Sequence, residues 1–309
     1  MKDNEIALRL EDVCKSFGKI RAVDQLSLEV QVGEMVGFLG PNGAGKSTTL
    51  YMASRLVRPS KGTIKIFGHD VWSDFKNAIR YVGTMVEIPS FYEYLSARKN
   101  LELIARLRGN STGSKIDEIL ERMGLFKRRN DKVATYSHGM KQRLGLGMTL
   151  IGKPRMLILD EPTNGMDPEG TREILSFLRE KIKNHGLTVF ISSHLLYEVE
   201  EYCDRVFVIN HGSLITSGKV KEILAPHENV LQVTFHDEAV NTKSLLNEDG
   251  IELVERLSNN SVVITLKNRD AVWLNKVLLD RGYHVSALTP KHKTLKEFFL
   301  SVTGDKNNA

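Results

Sequence analysis

Cysteine is nearly absent from this 309-residue chain. The only two, Cys14 and Cys203, stand outside any metal-ligand spacing, which fits a reduced cytosolic compartment rather than a secreted disulfide scaffold. Long apolar runs are missing as well. No stretch approaches the roughly 20 residues needed to cross a bilayer, and the opening Met-Lys-Asp-Asn-Glu leads into no apolar segment of signal-peptide length. A role at a membrane would therefore need another chain to span it. Nor does one sign of charge dominate: 43 Lys and Arg against 38 Asp and Glu leave a net charge of +5, spread along the chain. The densest basic run, Lys127-Arg128-Arg129, reads as a solvated helix end, so nucleic acid is not an expected partner. What is present is 41% hydrophobic content, ordinary for a globular protein with one large domain and a small one.

The most informative segment is Gly40-Pro41-Asn42-Gly43-Ala44-Gly45-Lys46-Ser47-Thr48. The apolar run Met35 to Leu39 before it reads as a buried strand, and Thr48 to Ala53 after it as the first turns of a helix. This strand, loop and helix context is the one a phosphate-binding loop requires. Its glycines free backbone N–H groups to converge on phosphate oxygens, and the helix N-terminus adds unpaired donors and the positive dipole end. Lys46 then supplies a point charge for the β- and γ-phosphates, and Ser47 a hydroxyl for Mg²⁺.

Short apolar segments alternate with turns around this loop, at Ile6 to Val13, Leu26 to Val32, Glu34 to Gly40 and Gly62 to Gly68, and read as strands. From about 90 to 152 the period becomes helical, with Leu95, Leu101, Ile104 and Leu107 and then Ile116, Ile119, Leu120 and Met123 on repeating faces, which suggests a helical insertion. Parallel-type strands return at Met156 to Leu159 and Thr188 to Ile191, separated by a helix from about Pro168 to Lys183. Arg205 to Asn210 and Ser213 to Ser217 follow as strands. Residues 1–225 are thus expected to form a nucleotide-binding domain, and 226–309 a smaller accessory domain. In the latter, strands at Val230 to Phe235, Leu253 to Leu257, Val262 to Leu266 and His284 to Leu288, with helices at Ala239 to Asn247, Ala271 to Arg281 and Leu295 to Val302, give a βαββαβα order. That order suits a ferredoxin-like α+β fold.

The run Met156 to Leu159 ends in Asp160-Glu161, two carboxylates at the end of a buried strand. Asp160 is placed to hold Mg²⁺, and Glu161 to orient and deprotonate an attacking water. Ser192-Ser193-His194 follows the next strand, so His194 is expected on the same sheet edge as Glu161. Asn164 to Pro168 has strong turn chemistry. Tyr136-Ser137-His138-Gly139-Met140 precedes a helix, where Ser137 serves as an N-cap and, with Gly139, offers a second anion-binding surface.

The order Phe17, Gly40 to Thr48, Glu87, Ser137 to Met140, Asp160-Glu161, Asp167 and His194 resembles the nucleotide-binding subunit of an ABC transporter. The resemblance covers residues 1 to about 224 and implies a P-loop ATPase fold with a helical subdomain. It further implies a homodimer or pseudo-homodimer that sandwiches two ATP molecules. Phe17 matches the aromatic that stacks on adenine, where tyrosine is more usual. Ser137 and Gly139 match the signature that closes on the partner's γ-phosphate, while His138 and Met140 depart from its commonest form. Asp167 matches the loop that communicates between sites, and His194 the switch at the γ-phosphate. Glu87 stands where glutamine is usual and would bring a full negative charge near Mg²⁺ and the attacking water. The stretches Met85 to Tyr92 and Gly139 to Gly145, with the C-terminal segment ending Leu295-Lys296-Glu297-Phe298-Phe299, are similar to ATPases of bacitracin- and lantibiotic-type peptide exporters. Drug and ion exporters share much of this pattern. The implied protein is an ATPase using ATP and Mg²⁺, cytoplasmic, peripheral on the inner membrane face, and docked on integral membrane permease subunits. Two other classes lack their marks. A soluble ABC ATPase acting on nucleic acid or ribosomes commonly has a coiled-coil insertion or a second phosphate loop. In a P-loop kinase the Ser137 loop and the Asp160-Glu161 pair would have no evident use.

Overall fold

The computed structural model describes residues 5–109, 113–225, 229–236, 245, 248–291 and 294–303. Its chain divides into two compact units, one running to Val220 and rejoined from Phe299, the other Lys221–Phe298.

In the first unit β1 (Ile6–Phe17) and β2 (Ile20–Gln31) form a long antiparallel hairpin. Both outrun their apolar segments because outward charged residues continue the pairing. Beyond those segments Lys15 pairs with Val23 and Ser16 with Arg21, and within them Arg9 faces Glu29 and binds it at 2.8 Å. After β3 (Met35–Leu39) and α1 (Lys46–Ala53), β4 (Lys61–Ile66) and β5 (His69–Asp70) complete a four-stranded sheet in the order β2-β1-β4-β5.

The strand that carries the phosphate loop belongs to a different sheet. All five residues of β3 are buried, and it lies between two strands from much later in the chain. The next elements are α2 (Phe75–Ile79) and β6 (Val82–Met85), both missed by the periodicity reading because each is only four or five residues long. The helical segment holds α3 (Ala97–Leu107), α4 (Gly113–Arg122) and α5 (His138–Thr149). Arg98 on α3 reaches Asp117 on α4 at 3.4 Å. The Lys127-Arg128-Arg129 run sits in and beside a short 3₁₀ turn at Phe126–Arg128. Then come β7 (Met156–Asp160), α6 (Pro168–His185), β8 (Thr188–Ser192), α7 (Leu196–Tyr202), β9 (Arg205–Asn210) and β10 (Ser213–Lys219). The second sheet has the order β10-β9-β3-β8-β7-β6, parallel except for the β9–β10 pair.

Strands β3, β7 and β8 read as unbroken apolar runs because both of their faces are covered. The loops after β3, β6, β7 and β8 emerge from neighbouring carboxyl ends, the edge at which open α/β sheets bind ligands.

The second unit contains β11 (Val230–Phe235), β12 (Ile251–Arg256), β13 (Ser261–Leu266) and β14 (Val285–Pro290), paired antiparallel in the order β12-β13-β11-β14. Leu274 and Leu278 of the helix Ala271–Asp280 join its core with Leu231, Val233, Ile264 and Leu266. A last helix spans Leu295–Thr303. Apart from Leu245, the helix expected from Ala239 to Asn247 lies outside the described residues.

Candidate active site

The loop Gly40 to Thr48 leaves the carboxyl end of β3 and runs straight into α1. Its turn depends on Gly45, the residue that begins the helix with φ +101°. A side chain there would be strained, and its Cβ would fall 2.5 Å from the Ala22 carbonyl oxygen on β2. Lys46 is only 8% exposed, with Nζ donating to the carbonyls of Gly40 at 2.6 Å and Pro41 at 3.1 Å. Burial holds its ammonium below the ordinary lysine range, while the carboxylates of Glu161 and Asp160 pull it the other way. The lysine charge and the two acids at the end of β7 therefore share one electrostatic site. Ser47 and Thr48 occupy the first turn of α1.

Asp160 ends β7 opposite Ser192, its register partner on β8, whose hydroxyl hydrogen-bonds the Asp160 carboxylate. Glu161, the next residue, adopts left-handed backbone at φ +48°, a conformation non-glycine residues hold only when their surroundings fix it. Its N–H donates to the Ser192 carbonyl at 3.2 Å and to Ser192 Oγ at 3.1 Å, and its own carbonyl accepts from Gln142 Nε2 at 3.1 Å. So fixed, the Glu161 side chain meets His194, with Nδ1 2.5 Å from Oε2. Two loops from neighbouring strands thus converge on a carboxylate–imidazole pair.

Behind this pair lies Glu198 on α7, 2% exposed, which accepts from Thr163 Oγ1 at 2.8 Å and Ser193 Oγ at 2.8 Å. Burial raises its pKa and the two hydroxyls lower it; the Glu161 charge adds to the rise. Glu198 ties the segment after Glu161 to the segment before His194. Its sequence signal was slight: an acid four residues beyond His194, on the inward face of a helix.

Glu87 follows β6 and is exposed, and its carboxylate engages the Tyr51 hydroxyl on α1, one helical turn beyond Ser47. Burial raises the Tyr51 pKa, reinforced by the negative charges of Glu87 and Asp160. Phe17 ends β1 with half its surface exposed, and Lys15 Nζ stands 4.9 Å from its ring centroid.

The remaining expected residues form a second group around the start of α5. Ser137 is the N-cap, its hydroxyl accepting from the Met140 N–H at 3.3 Å. Met140 Sδ lies 3.7 Å from the Arg128 guanidinium. Gly139 packs against the Gly165 carbonyl, and Asp167 caps α6 by accepting from the Gly170 N–H at 3.1 Å.

The chemistry suits a nucleotide phosphate with Mg²⁺. Among the described residues no three His, Cys, Asp or Glu are grouped to hold a metal unaided. Magnesium is usually held by one or two carboxylates together with water and substrate phosphates. The carboxylate of Asp160 at the end of β7 and the hydroxyl of Ser47 in the first turn of α1 are donors of that kind.

A glycine-bounded phosphate loop, a buried lysine and paired strand-end acids on a parallel sheet define a P-loop nucleotide-hydrolysing fold. The sequence profile of the ABC transporter family matches residues 23–164. The chain is 40% identical over 303 residues to an uncharacterized ABC transporter ATP-binding protein, YhcH of Bacillus subtilis (strain 168), covering 96% of each. It is 34% identical over 299 residues to the bacitracin transport ATP-binding protein BcrA of Bacillus licheniformis, covering 96% of this chain and 97% of that one. A solved ATP-binding subunit of an ABC transporter superposes with TM-score 0.65 at 29% identity, over 70% of this chain and 91% of that one. The chain belongs to the ABC transporter ATP-binding family and is an ATPase.

Proposed function

We propose that this protein drives export of an antimicrobial peptide, or another amphipathic compound, through separate membrane subunits, and that two copies close head-to-tail on ATP. The observation that carries the export reading is the likeness to a bacitracin transport ATP-binding protein along nearly the whole chain, second unit included. The grouping of site residues into two clusters supports the dimer. Lys46, Ser47, Asp160, Glu161 and His194 are equipped to hold and hydrolyse a triphosphate, whereas Ser137, Gly139 and the Asp167 turn stand at another helix end, free to act on a neighbour's nucleotide.

In this reading Phe17 stacks on the adenine, backbone N–H groups from Gly40 to Thr48 cradle the phosphates, and Lys46 moves from its carbonyl partners to the β- and γ-oxygens. Ser47 and Asp160 would hold Mg²⁺, which would neutralise charge building on the phosphates. Glu161 takes the proton of the attacking water, and His194, bonded to it, orients the carboxylate and contacts the γ-phosphate. Glu87, anchored by Tyr51, faces the same region. Closure would reach the membrane subunits through the segment from Glu87 to Tyr94, where Ile88 is 77% exposed and Tyr92 and Tyr94, in edge-to-face contact with each other, are exposed as well. Exposed apolar side chains grouped in this way mark a docking surface. No described helix is long and apolar enough to cross a membrane, so attachment to the inner face would run through that contact. The strand order β12-β13-β11-β14 supports a ferredoxin-like reading of the accessory unit.

The test is Glu161→Gln with ATP and Mg²⁺, followed by size-exclusion chromatography and phosphate release. An ATP-dependent dimer with turnover reduced about 10²- to 10⁴-fold is expected, and Lys46→Ala should give no dimer. Unchanged turnover would remove Glu161 from the role of base. Co-purification with ribosomes, and with no multi-span membrane protein, would overturn the transport reading.

A further inference from the structure

One face of α5 touches the loops of its own ATP site in sequence. His138, Gln142, Gly145 and Thr149 stand at i, i+4, i+7 and i+11, a single helical stripe. At its start the His138 ring lies so close to Gly165 that a Cβ there would fall 2.2 Å from Cδ2. Gln142, 6% exposed, donates from Nε2 to the Glu161 carbonyl at 3.1 Å. Gly145 abuts Pro89 and Met85, and the Thr149 carbonyl abuts Gly83. The stripe therefore meets the turn before Asp167, the main chain of the acid beside His194, and the segment flanking Glu87.

The contact at Gln142 falls on backbone held in a disfavoured conformation. Glu161 has φ +48°, and Pro162 after it disfavours right-handed helical backbone at Glu161. The accessible alternative is extended backbone, which would swing the carboxylate away from His194. Ser192 secures the N–H side of Glu161, and Gln142 secures the carbonyl side. We propose that Gln142 is a positioning residue of the ATPase reaction: its carboxamide locks the Glu161 main chain and so makes the aim of that carboxylate depend on how α5 is seated. The inference rests on reading Glu161 as the base. Because Ser137 and Gly139 begin the same helix, engagement of that end by a second copy's nucleotide would be felt at Glu161 of the first.

The test is steady-state ATP hydrolysis by the full chain across ATP concentrations, with melting temperature measured in parallel. Gln142→Met keeps volume and helix preference but cannot donate; Gln142→Glu keeps length and sets a carboxylate against the carbonyl. Gln142→Met should lower kcat about tenfold with KM for ATP unchanged and the melting temperature lowered by only a few degrees, the size of effect expected for one lost hydrogen bond. Gln142→Glu should fall further. If Gln142→Met turns over within about twofold of the parent, or loses rate only through a raised KM, the inference fails; should that variant not fold, the kcat of Gln142→Glu decides by the same criterion. Glu161→Gln in the same assay separates the two ideas. Retained turnover there defeats the base assignment, whereas abolished turnover with a normal Gln142→Met defeats only the Gln142 relay.

Discussion

Gly145 on α5 offers a direct measure of how tightly the helical segment is seated on the strand edge that carries Glu87. An alanine Cβ at this position would fall 2.3 Å from Pro89 Cγ, 2.7 Å from Pro89 Cβ and 3.1 Å from Met85 Sδ. Two opposing effects decide the outcome. Replacing a mid-helix glycine by alanine gains about 1 kcal/mol of helix propensity. Forcing a methyl into filled space costs about 1–3 kcal/mol, and the proline ring cannot rotate away to relieve it. Gly145→Ala should therefore leave the protein unchanged or destabilise it by up to about 2 kcal/mol. Gly113→Ala at the start of α4 is a packing control that lacks the mid-helix gain, since among the described residues a Cβ there meets only the flexible end of Arg98 at 3.1 Å. Urea unfolding of both variants measures the energies, and ATP hydrolysis shows whether displacing Pro89 disturbs Glu87, two residues earlier. A Gly145→Ala protein more stable than its parent by about 1 kcal/mol would mean that α5 is not packed on Pro89 in solution.

The other perturbations probe separate elements. Glu198 has a raised pKa in the fold, so its contribution to stability is complete below the unfolded value of 4.5 and declines as pH rises above it, because the unfolded chain loses its proton first. Urea midpoints of Glu198→Gln should lack that decline, and parallel pH profiles of parent and variant would contradict it. Ser137→Ala removes the α5 cap and should cost about 1 kcal/mol in the same unfolding assay; a loss of ATP-driven dimerisation larger than the loss of stability would separate its role at the neighbour's nucleotide from its capping role. Cys203 is buried with its thiol pushed well above the usual range, so a thiol reagent should label it only after denaturation. Rapid labelling of the native protein would show that α7 opens.

Local chemistry made part of this architecture legible in the sequence. The loop Gly40 to Thr48, the acids after Met156 to Leu159 and the histidine after Thr188 to Ile191 each follow a buried apolar run, so residue order alone placed them on strand ends. The Pro168 helix, with the turn from Asn164 to Pro168 before it, was likewise visible from turn preferences, whereas the capping role of Asp167 appears only in the fold. What stayed hidden depends on partners distant in the chain. Gln142 gives no sign in sequence that it reaches the Glu161 carbonyl, and Glu198 resembles any acid on a polar helix. Tyr51 sits among apolar neighbours on α1, and only the fold brings Glu87 to it. β6 escaped notice because four residues carry too little periodicity, although it delivers Glu87 to the site.

The position of β3 has a consequence for how the protein is made. Its residues pair with Val189 to Ser192 on one side and Arg205 to Val208 on the other. At roughly 5–20 residues per second of synthesis, the interval between making the phosphate-loop strand and making both neighbours is on the order of ten to thirty seconds. Throughout that time β3 is an apolar segment with two unpaired edges, the kind of segment that aggregates or engages chaperones. A nascent chain bearing the whole Gly40 to Thr48 loop is therefore not yet a nucleotide-binding protein. Capture of ATP on ribosome-bound chains would mark the moment at which Arg205–Asn210 has emerged and joined the sheet.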